Sequence, residues 1–395
     1  MAVILPSKSS DHSFSVFNII SRFRSKKRKY GSSPQKQNSQ SQTAHPQDTR
    51  PPLNPSPLPL VFPEHQQTLP TLGWTTITFP TSCTPSDTPG PHPLQSAYES
   101  LLAASQAFFN LPTSTKSRWA HKLGSEEGWS SIPGEKEFIT LRSLEYCPDM
   151  LAGPAKRYWD LMGTYLSNSL ARIETSLALH PDALTRFVGP CGSMQDSDAK
   201  KTATMLRLFR YEGWEEKVVA EPHSDLGLLS VVVGNVPGLE VWDGRGWFDV
   251  EREVKRAGKS GASMLVGRQL ERLSNGRYGA GGHRVVSYGG VPNSPTTASM
   301  SHIPSQTAGS VGTEHKDGEK RYRFSIVFVL RAHEPVIIDS EQLESQVTGK
   351  WEKGLKGVTA GKMYEEIKNR HFNINIGIEE REKQRRNIRE GKAGG

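Results

Sequence analysis

Long hydrophobic segments are missing from this 395-residue chain. No run reaches the roughly 18 apolar residues that a transmembrane helix needs, so a membrane-spanning protein is not expected. The start, MAVILPSKSS, has neither the charged region nor the apolar stretch of a secretory signal. Hydrophobic residues make up only 35% of the chain, which predicts that part of its length stays outside a core. We expect a cytoplasmic protein of one large or two modest domains.

Cysteine is scarce, and the three residues Cys83, Cys147 and Cys191 are widely spaced. An odd, scattered set favours free thiols in a reducing compartment over a disulfide framework. It also lacks the paired cysteines of zinc ribbons and fingers. A phosphate-binding loop is missing as well, because GVTAGKM has neither the spacing nor the Ser or Thr of a P-loop.

Positive charge is in excess, at a net +8, but it is unevenly distributed. Much of it lies in RFRSKKRK at residues 22–29 and in the tail EEREKQRRNIREGK. The first run reads as a nuclear import signal, as a loose nucleic-acid contact or as a solvated tail. We favour the solvated tail, because short basic runs often occur without such a function. A nuclear location stays open, and a nucleic-acid partner is not expected because no binding motif accompanies the run.

Composition and periodicity divide the chain into four parts. Residues 1–56 are rich in Ser, Pro, Gln, Lys and Asn and read as a disordered arm, with order beginning near Leu60. Residues 57–195 read as mostly helical, with helices over about 94–111 and 154–179. Residues 200–340 alternate between polar and apolar and are predicted to form β-strands, except for a disordered insertion at about 291–320. Residues 341–395 read as a helix followed by a charged tail.

Seven segments after Ala203 predict β-strands, because polar and apolar residues alternate in them. They are TMLRLFRY, LLSVVVGN, LEVWD, WFDVER, SMLVGR, HRVVSY and RYRFSIVFVLRAH. The dipeptides Asp243-Gly244 and Asn275-Gly276 are suited to tight turns between strands. Many short strands with turn signals predict an all-β barrel or a double-sheet jelly roll.

Three candidate metal ligands lie in this β region. His223 and Asp225, in HSDLG, are two residues apart, so an extended backbone points both side chains to one face. His283, in GGHRVV, must come from another strand that a sheet sandwich brings alongside. Two imidazoles and one carboxylate leave three positions open on an octahedral iron(II), the facial triad of non-haem iron oxygenases. The same donors also suit manganese, cobalt or catalytic zinc. Alternatively, the three residues bind no metal, and His223 and Asp225 are a surface pair while His283 is a core histidine.

A carboxylate clamp is predicted further on, at Arg323 and Ser325 in RYRFSIVF. Both side chains share one face of a strand. A guanidinium binds a carboxylate through two parallel hydrogen bonds that Lys cannot reproduce. Arg321 competes for this role but lacks a serine two residues later.

The ordered set HSDLGLLSVV, PGLEVWDGRGWFDV, LERLSNGRYGAGGHRVV and RYRFSIVF resembles the isopenicillin N synthase-like family of 2-oxoglutarate and Fe(II)-dependent dioxygenases. The resemblance is specific over about 200–336 and looser over about 60–190. In the earlier part, AFFNLPTSTKSRW and EEGWSSIPGEKEF resemble the family's helical N-terminal domain. The resemblance implies a mainly β fold, in which a double-stranded β-helix (jelly roll) core packs against that helical domain.

The resemblance also implies a site. His223, Asp225 and His283 would hold Fe(II), and no further catalytic residue is assigned. The residues implied to bind the 2-oxoglutarate co-substrate are Arg323 and Ser325, at its distal carboxylate, and Tyr211. Phe209 stands where the family usually has an asparagine. Because Phe cannot donate a hydrogen bond, either another group contacts the chelating end of the co-substrate or binding is weaker.

The implied activity is that of an oxidoreductase of secondary metabolism. It would hydroxylate or desaturate a small organic substrate with O2 and would convert 2-oxoglutarate to succinate. Two alternatives stay open: an oxidase that does not use 2-oxoglutarate, and a non-catalytic jelly-roll protein that binds or regulates and keeps the metal pocket. No membrane partner is expected. The oligomeric state stays open, with a monomer favoured.

Overall fold

A computed structural model describes residues 48–79, 91–122, 125–213, 215–289 and 322–390. The arm up to residue 47, the insertion at 291–320, Cys83 and Arg321 lie outside the described residues. The thiols of Cys147 and Cys191 are buried and free, as predicted. Within the described ranges, no helix is both long enough and apolar enough to cross a membrane.

The described chain contains both strands and helices. The strands are β1 Trp74–Thr78, β2 Gly128–Ile132, β3 Lys136–Leu141, β4 Met205–Glu212, β5 Glu216–His223, β6 Leu229–Gly234, β7 Leu239–Trp242, β8 Trp247–Asp249, β9 Gly261–Val266, β10 His283–Tyr288, β11 Tyr322–Leu330, β12 Ile337–Asp339 and β13 Lys356–Thr359. The α-helices are α1 Thr68–Leu72, α2 Pro93–Phe109, α3 Thr113–Lys116, α4 Asp149–Ser176, α5 Val250–Arg256, α6 Arg268–Leu273, α7 Ala360–Lys368 and α8 Ile378–Arg389.

Two antiparallel sheets form the centre of the molecule. The larger sheet has seven strands in the order β1-β9-β6-β11-β4-β3-β2, and the smaller has four in the order β5-β10-β7-β8. Side chains from both sheets meet in one apolar cluster, which includes Phe209 and Leu265 of the large sheet and Val219 and Val285 of the small one. This layering of two antiparallel sheets over a shared core is the predicted jelly roll.

The helices α2 and α4 cover the opposite face of the large sheet. Phe109 of α2 packs on Phe324 of β11, and Trp159 of α4 packs on Phe328 of the same strand. Even-numbered residues of β11 therefore face the helices, and odd-numbered residues face the inner cluster. Between the two helices, β2 and β3 join the large sheet, so the separate helical N-terminal domain stays a prediction.

The strand predicted for WFDVER covers only Trp247–Asp249, and the rest of that prediction is wrong. Helix α5 begins at Val250, because the Asp249 side chain accepts a hydrogen bond from the Arg252 backbone N–H at 2.9 Å and caps the helix. Acidic residues in the first turn favour the same ending of the strand. Conversely, β5 was not among the predicted strands, since most of its side chains are polar or only partly buried.

The ordered chain also begins earlier than predicted. Residues 48–56 were assigned to the disordered arm, yet they contact the body of the protein. Arg50 Nη1 donates to the carbonyl oxygens of Asn275 and Thr348 at 2.8 Å each, and the Asn54 backbone N–H donates to Ser176 O at 2.8 Å. Hydrogen bonds to distant carbonyls thus order a segment whose composition offers little apolar area.

The charged tail predicted after the last helix is wrong in part, because residues 378–389 form helix α8. Arg381 of this helix is only 2% exposed and pairs with Glu135 and with Glu221, the latter at 3.2 Å. Arg385 pairs with Glu221 as well. Ion pairs to β5 and to the β2–β3 turn therefore hold a helix whose sequence reads as solvated.

Candidate metal centre

Strands β5 and β10 bring the three predicted metal ligands together. The two strands are antiparallel neighbours, and His283 lies directly opposite His223. Asp225 follows two residues after the end of β5. One potential ligand atom from each of the three side chains lies within 4.8 Å of the other two. Strand pairing therefore supplies the proximity that the spacing in the sequence could not demonstrate.

Backbone carbonyls orient both imidazoles. The Nδ1 atom of His223 lies 2.7 Å from Glu221 O, and that of His283 lies 3.2 Å from Gly281 O. An Nδ1–H that donates to a carbonyl leaves Nε2 with a free lone pair. Each Nε2 lies 3.9 Å from an Asp225 oxygen, Oδ1 for His223 and Oδ2 for His283. These separations are too long for hydrogen bonds and leave space for an ion between the groups.

Burial sets the protonation of the site. It lowers the pKa of His223 well below the usual 6.5, and the neighbouring His283 lowers it further. Burial raises the pKa of Asp225, but the two histidines outweigh this effect and leave the pKa below 3.8. Asp225 Oδ2 is buried and has no hydrogen-bond partner within the described ranges. At neutral pH the site offers a neutral imidazole and an ionised carboxylate with an unused acceptor, which is the protonation that metal binding requires.

The donor set fits a divalent first-row metal. Imidazole nitrogen with carboxylate oxygen suits Fe(II), and manganese, cobalt or zinc would fit the same three groups. The His223 side chain is 19% exposed and that of Asp225 is 16% exposed, whereas that of His283 is nearly covered. One side of the site is therefore accessible to further ligands.

The residues predicted to bind the co-substrate also lie together. Arg323 and Ser325 are odd-numbered residues of β11 and face the inner cluster, and Tyr211 of β4 lies directly opposite Arg323. The guanidinium carbon of Arg323 is 5.6 Å from the centre of the Tyr211 ring. All three side chains are buried. Burial raises the pKa of Tyr211 to about 12, while the charge of Arg323 opposes this effect, so the phenol stays protonated at neutral pH.

A residue that the sequence did not single out completes this cluster. Glu251, near the start of α5, places both carboxylate oxygens 2.8 Å from Arg323 Nη2. Arg323 Nε donates to Val236 O at 3.2 Å. The remaining nitrogen, Nη1, and the hydroxyl of Ser325 are buried and have no hydrogen-bond partner in the part of the chain that the structure describes. The predicted clamp thus keeps two unused polar groups but shares its charge with a protein carboxylate.

Aromatic side chains form the wall beside the clamp. Phe209 stacks on Tyr211 with ring centres 5.1 Å apart, and the centre of its ring lies 5.5 Å from that of Phe138. Phe209 is therefore a packing residue, and its ring offers no hydrogen bond to a co-substrate. Arg207, two residues earlier on the same face, donates from Nε to Thr140 Oγ1 at 2.7 Å.

A buried lysine lies at the edge of the same wall and was also missed. Lys136 of β3 lies opposite Tyr211 and is 2% exposed. Its Nζ donates to Ile374 O at 3.0 Å. Burial lowers the pKa of Lys136 to about 7, although the nearby Glu135 opposes this effect. The segment GEKEFITLR gave no signal for this environment, because a lysine at the start of a strand is usually solvated.

Comparison with known proteins identifies relatives over part of the chain. No protein-family model matches. The probable flavonol synthase 6 of Arabidopsis thaliana is 34% identical over 87 residues, which cover 22% of this chain and 28% of that protein. The jasmonate-induced oxygenase 4 of the same plant is 24% identical over 219 residues, or 50% of this chain and 58% of that protein. The chain thus spans less than two thirds of the length of either curated relative.

The fold is similar to that of solved oxygenases. The crystal structure of JOX2 in complex with 2OG, Fe and JA aligns with a TM-score of 0.51 and 16% sequence identity. The alignment covers 73% of this chain and 77% of that one. At this identity the likeness concerns the fold, and it agrees with the jelly roll described above.

Proposed function

We propose that this chain, which resembles the isopenicillin N synthase-like oxygenases in sequence and fold, is an enzyme that oxidises a small organic substrate. The reaction would consume O2 and 2-oxoglutarate and release succinate and CO2. The observation that carries the proposal is the convergence of His223, Asp225 and His283 in one half-open site. Bound Fe(II) supplies the redox chemistry that amino-acid side chains lack.

The protein's part at the metal is to hold and orient three donors. His223 and His283 would bind through Nε2, because their Nδ1 atoms face backbone carbonyls. Asp225 would add the negative charge. Its buried Oδ2 has no other partner among the residues that the structure describes, so metal binding satisfies an acceptor whose burial is otherwise unfavourable. The carbonyls of Glu221 and Gly281 keep the rings from rotating away from the ion.

The protein's part at the co-substrate is to recognise a carboxylate in a dry cluster. Arg323 Nη1 and the Ser325 hydroxyl are the unused donors, and Tyr211 lies beside them. Phe138 and Phe209 limit the access of water to this region, which strengthens each polar contact. The solved JOX2 complex with 2OG and Fe supports the same pair of groups for this chain.

The contacts of the clamp also bear on the alternative of an oxidase that does not use 2-oxoglutarate. Because Glu251 pairs with Arg323, the positive charge offered to a co-substrate is reduced. In an oxidase that does not use 2-oxoglutarate, Arg323 and Ser325 would hold the carboxylate of the substrate itself, and Glu251 would compete with that carboxylate. The proposal covers both hydroxylation and desaturation of the substrate.

Succinate release is the experiment that separates these functions. The purified protein is incubated with Fe(II), ascorbate and 2-oxoglutarate, first alone and then with pooled metabolites. We expect succinate from the wild type and none from His283→Gln, while His180→Gln, at an exposed histidine, behaves as wild type. Products are then sought as a gain of one oxygen or a loss of two hydrogens. A metal-loaded wild type that neither binds 2-oxoglutarate nor releases succinate would overturn the proposal.

A further inference from the structure

Glu251 occupies the guanidinium that the co-substrate needs. We propose that Glu251 sets the affinity for 2-oxoglutarate, because its fixed carboxylate competes with the distal carboxylate of the co-substrate for Arg323. The inference rests on the proposed function. It adds a specificity-determining residue that neither the ligand spacing nor the Arg-x-Ser pattern contains.

Hydrogen bonding around Arg323 shows how little of the side chain is left for a ligand. A guanidinium binds a carboxylate best through two neighbouring N–H groups. Nε already donates to Val236 O, and Nη2 lies 2.8 Å from both oxygens of Glu251. Nη1 is therefore the nitrogen of this guanidinium that finds no acceptor among the described residues. A ligand carboxylate obtains this nitrogen and the Ser325 hydroxyl, next to a like charge.

The pair is built into the backbone around it. Glu251 Oε2 also accepts a hydrogen bond from the Leu239 backbone N–H at 2.9 Å, which fixes the carboxylate. A Cβ at Gly234 would lie 2.5 Å from Glu251 Oε1, and a Cβ at Gly238 would lie 2.7 Å from Arg323 Nε. Glycine at both positions therefore leaves the space that the ion pair fills. Because Glu251 is anchored at a second point, an arriving co-substrate meets the pair and not a free arginine.

The direction of the effect follows from charge. Two carboxylates that share one buried guanidinium repel each other, and the repulsion is weakly screened there. Glu251→Gln removes the charge, and an amide oxygen at the position of Oε2 can still accept from Leu239 and Arg323. We expect the dissociation constant of 2-oxoglutarate to fall about ten- to hundredfold in this variant. Glutarate carries the same distal carboxylate, so its binding should tighten as well.

The test measures binding and not turnover. Equilibrium dialysis and calorimetry with Mn(II)-loaded protein give the dissociation constants of 2-oxoglutarate and glutarate for wild type and Glu251→Gln. Glu253→Gln is the matched control, because Glu253 lies on the same helix and pairs with Arg256 at its surface. Glu251→Met is measured in parallel, and it decides the matter if the thermal midpoint shows that the glutamine variant is unfolded.

Each outcome bears on a different statement. Tighter binding in the Glu251 variants, with Glu253→Gln unchanged, supports the inference. Equal or weaker binding overturns it and leaves the proposed function intact, since the wild type still binds 2-oxoglutarate. If the metal-loaded wild type does not bind 2-oxoglutarate at all, the proposed function fails and this inference fails with it.

Discussion

Replacing Asp225 with asparagine should separate folding from metal binding. In the metal-free protein the Asp225 carboxylate is only 16% exposed, and its Oδ2 has no hydrogen bond. Asparagine has nearly the same shape but no charge, so it costs less to bury. We therefore expect metal-free Asp225→Asn to be as stable as the wild type or more stable by about 1–2 kcal/mol. Residues of functional sites often reduce the stability of the fold in this way.

The effect of metal should have the opposite order. At a metal concentration of about 100 times the dissociation constant, binding stabilises the wild type by about 2.7 kcal/mol. Loss of the one anionic ligand should weaken metal affinity by about 100-fold or more. Replacing a residue that only hydrogen-bonds to a metal ligand already weakens metal affinity by up to about 100-fold. The same concentration then only equals the dissociation constant of the variant, and the stabilisation falls to about 0.4 kcal/mol.

Urea unfolding with and without Mn(II) measures both effects, and mass spectrometry of the metal content checks them. Asp196→Asn is the control, since Asp196 is exposed and lies outside the helices, and its replacement should change the unfolding free energy by less than about 0.5 kcal/mol. The ligand assignment is refuted if Asp225→Asn retains stoichiometric metal and the full metal-dependent stabilisation.

Three further changes test other parts of the structure. Lys136 has a pKa of about 7 in the folded protein, so the folded state loses this proton at a lower pH than the unfolded state does. The free energy of unfolding, relative to that of Lys136→Met, should therefore rise by about 3 kcal/mol between pH 7 and about pH 9.5. A constant difference in urea unfolding would contradict the burial of a charged amine. Arg50→Ala should cost about 1–2 kcal/mol in the same assay, because two carbonyls lose their donor. No loss would mean that the Arg50 hydrogen bonds do not stabilise the fold. Arg323→Leu should cost about 3–5 kcal/mol by leaving Glu251 unpaired. Adding Glu251→Leu should restore most of that stability but not 2-oxoglutarate binding in dialysis, and recovered binding would remove Arg323 from the clamp.

Local patterns were sufficient for much of the β core. Alternation predicted HRVVSY as a strand, and β10 has those bounds, because side chains that face a core on one side repeat every two residues. The same period predicted that His223 and Asp225 share one face of a strand, but β5 ends at His223 and Asp225 lies beyond it. His283 was predicted as the third ligand because it is a histidine that follows the His-x-Asp motif in the expected order along the chain. In the structure, β10 pairs with β5 and His283 lies opposite His223.

Contacts between distant segments were beyond the reach of these patterns. Glu251 is 72 positions from Arg323, and the strand pattern of WFDVER concealed the helix that carries it. Residues 48–56 and helix α8 are held by hydrogen bonds and ion pairs to other parts of the chain, whereas composition reports only the apolar area that a segment can bury. Lys136 needed the same information, because its burial depends on the C-terminal segment that crosses it.

The attachment of helix α8 has a practical consequence for handling the protein. Arg381 and Arg385 bind the side chain of Glu221, and the backbone carbonyl of that same residue orients His223. Anything that pulls α8 away, such as proteolytic clipping or a bulky affinity tag fused behind it, also disturbs the backbone that aims a metal ligand. High salt would weaken the partly exposed Arg385–Glu221 pair, and the buried Arg381–Glu221 pair much less. Purification at low ionic strength, with the tag at the other end of the chain, therefore protects metal loading.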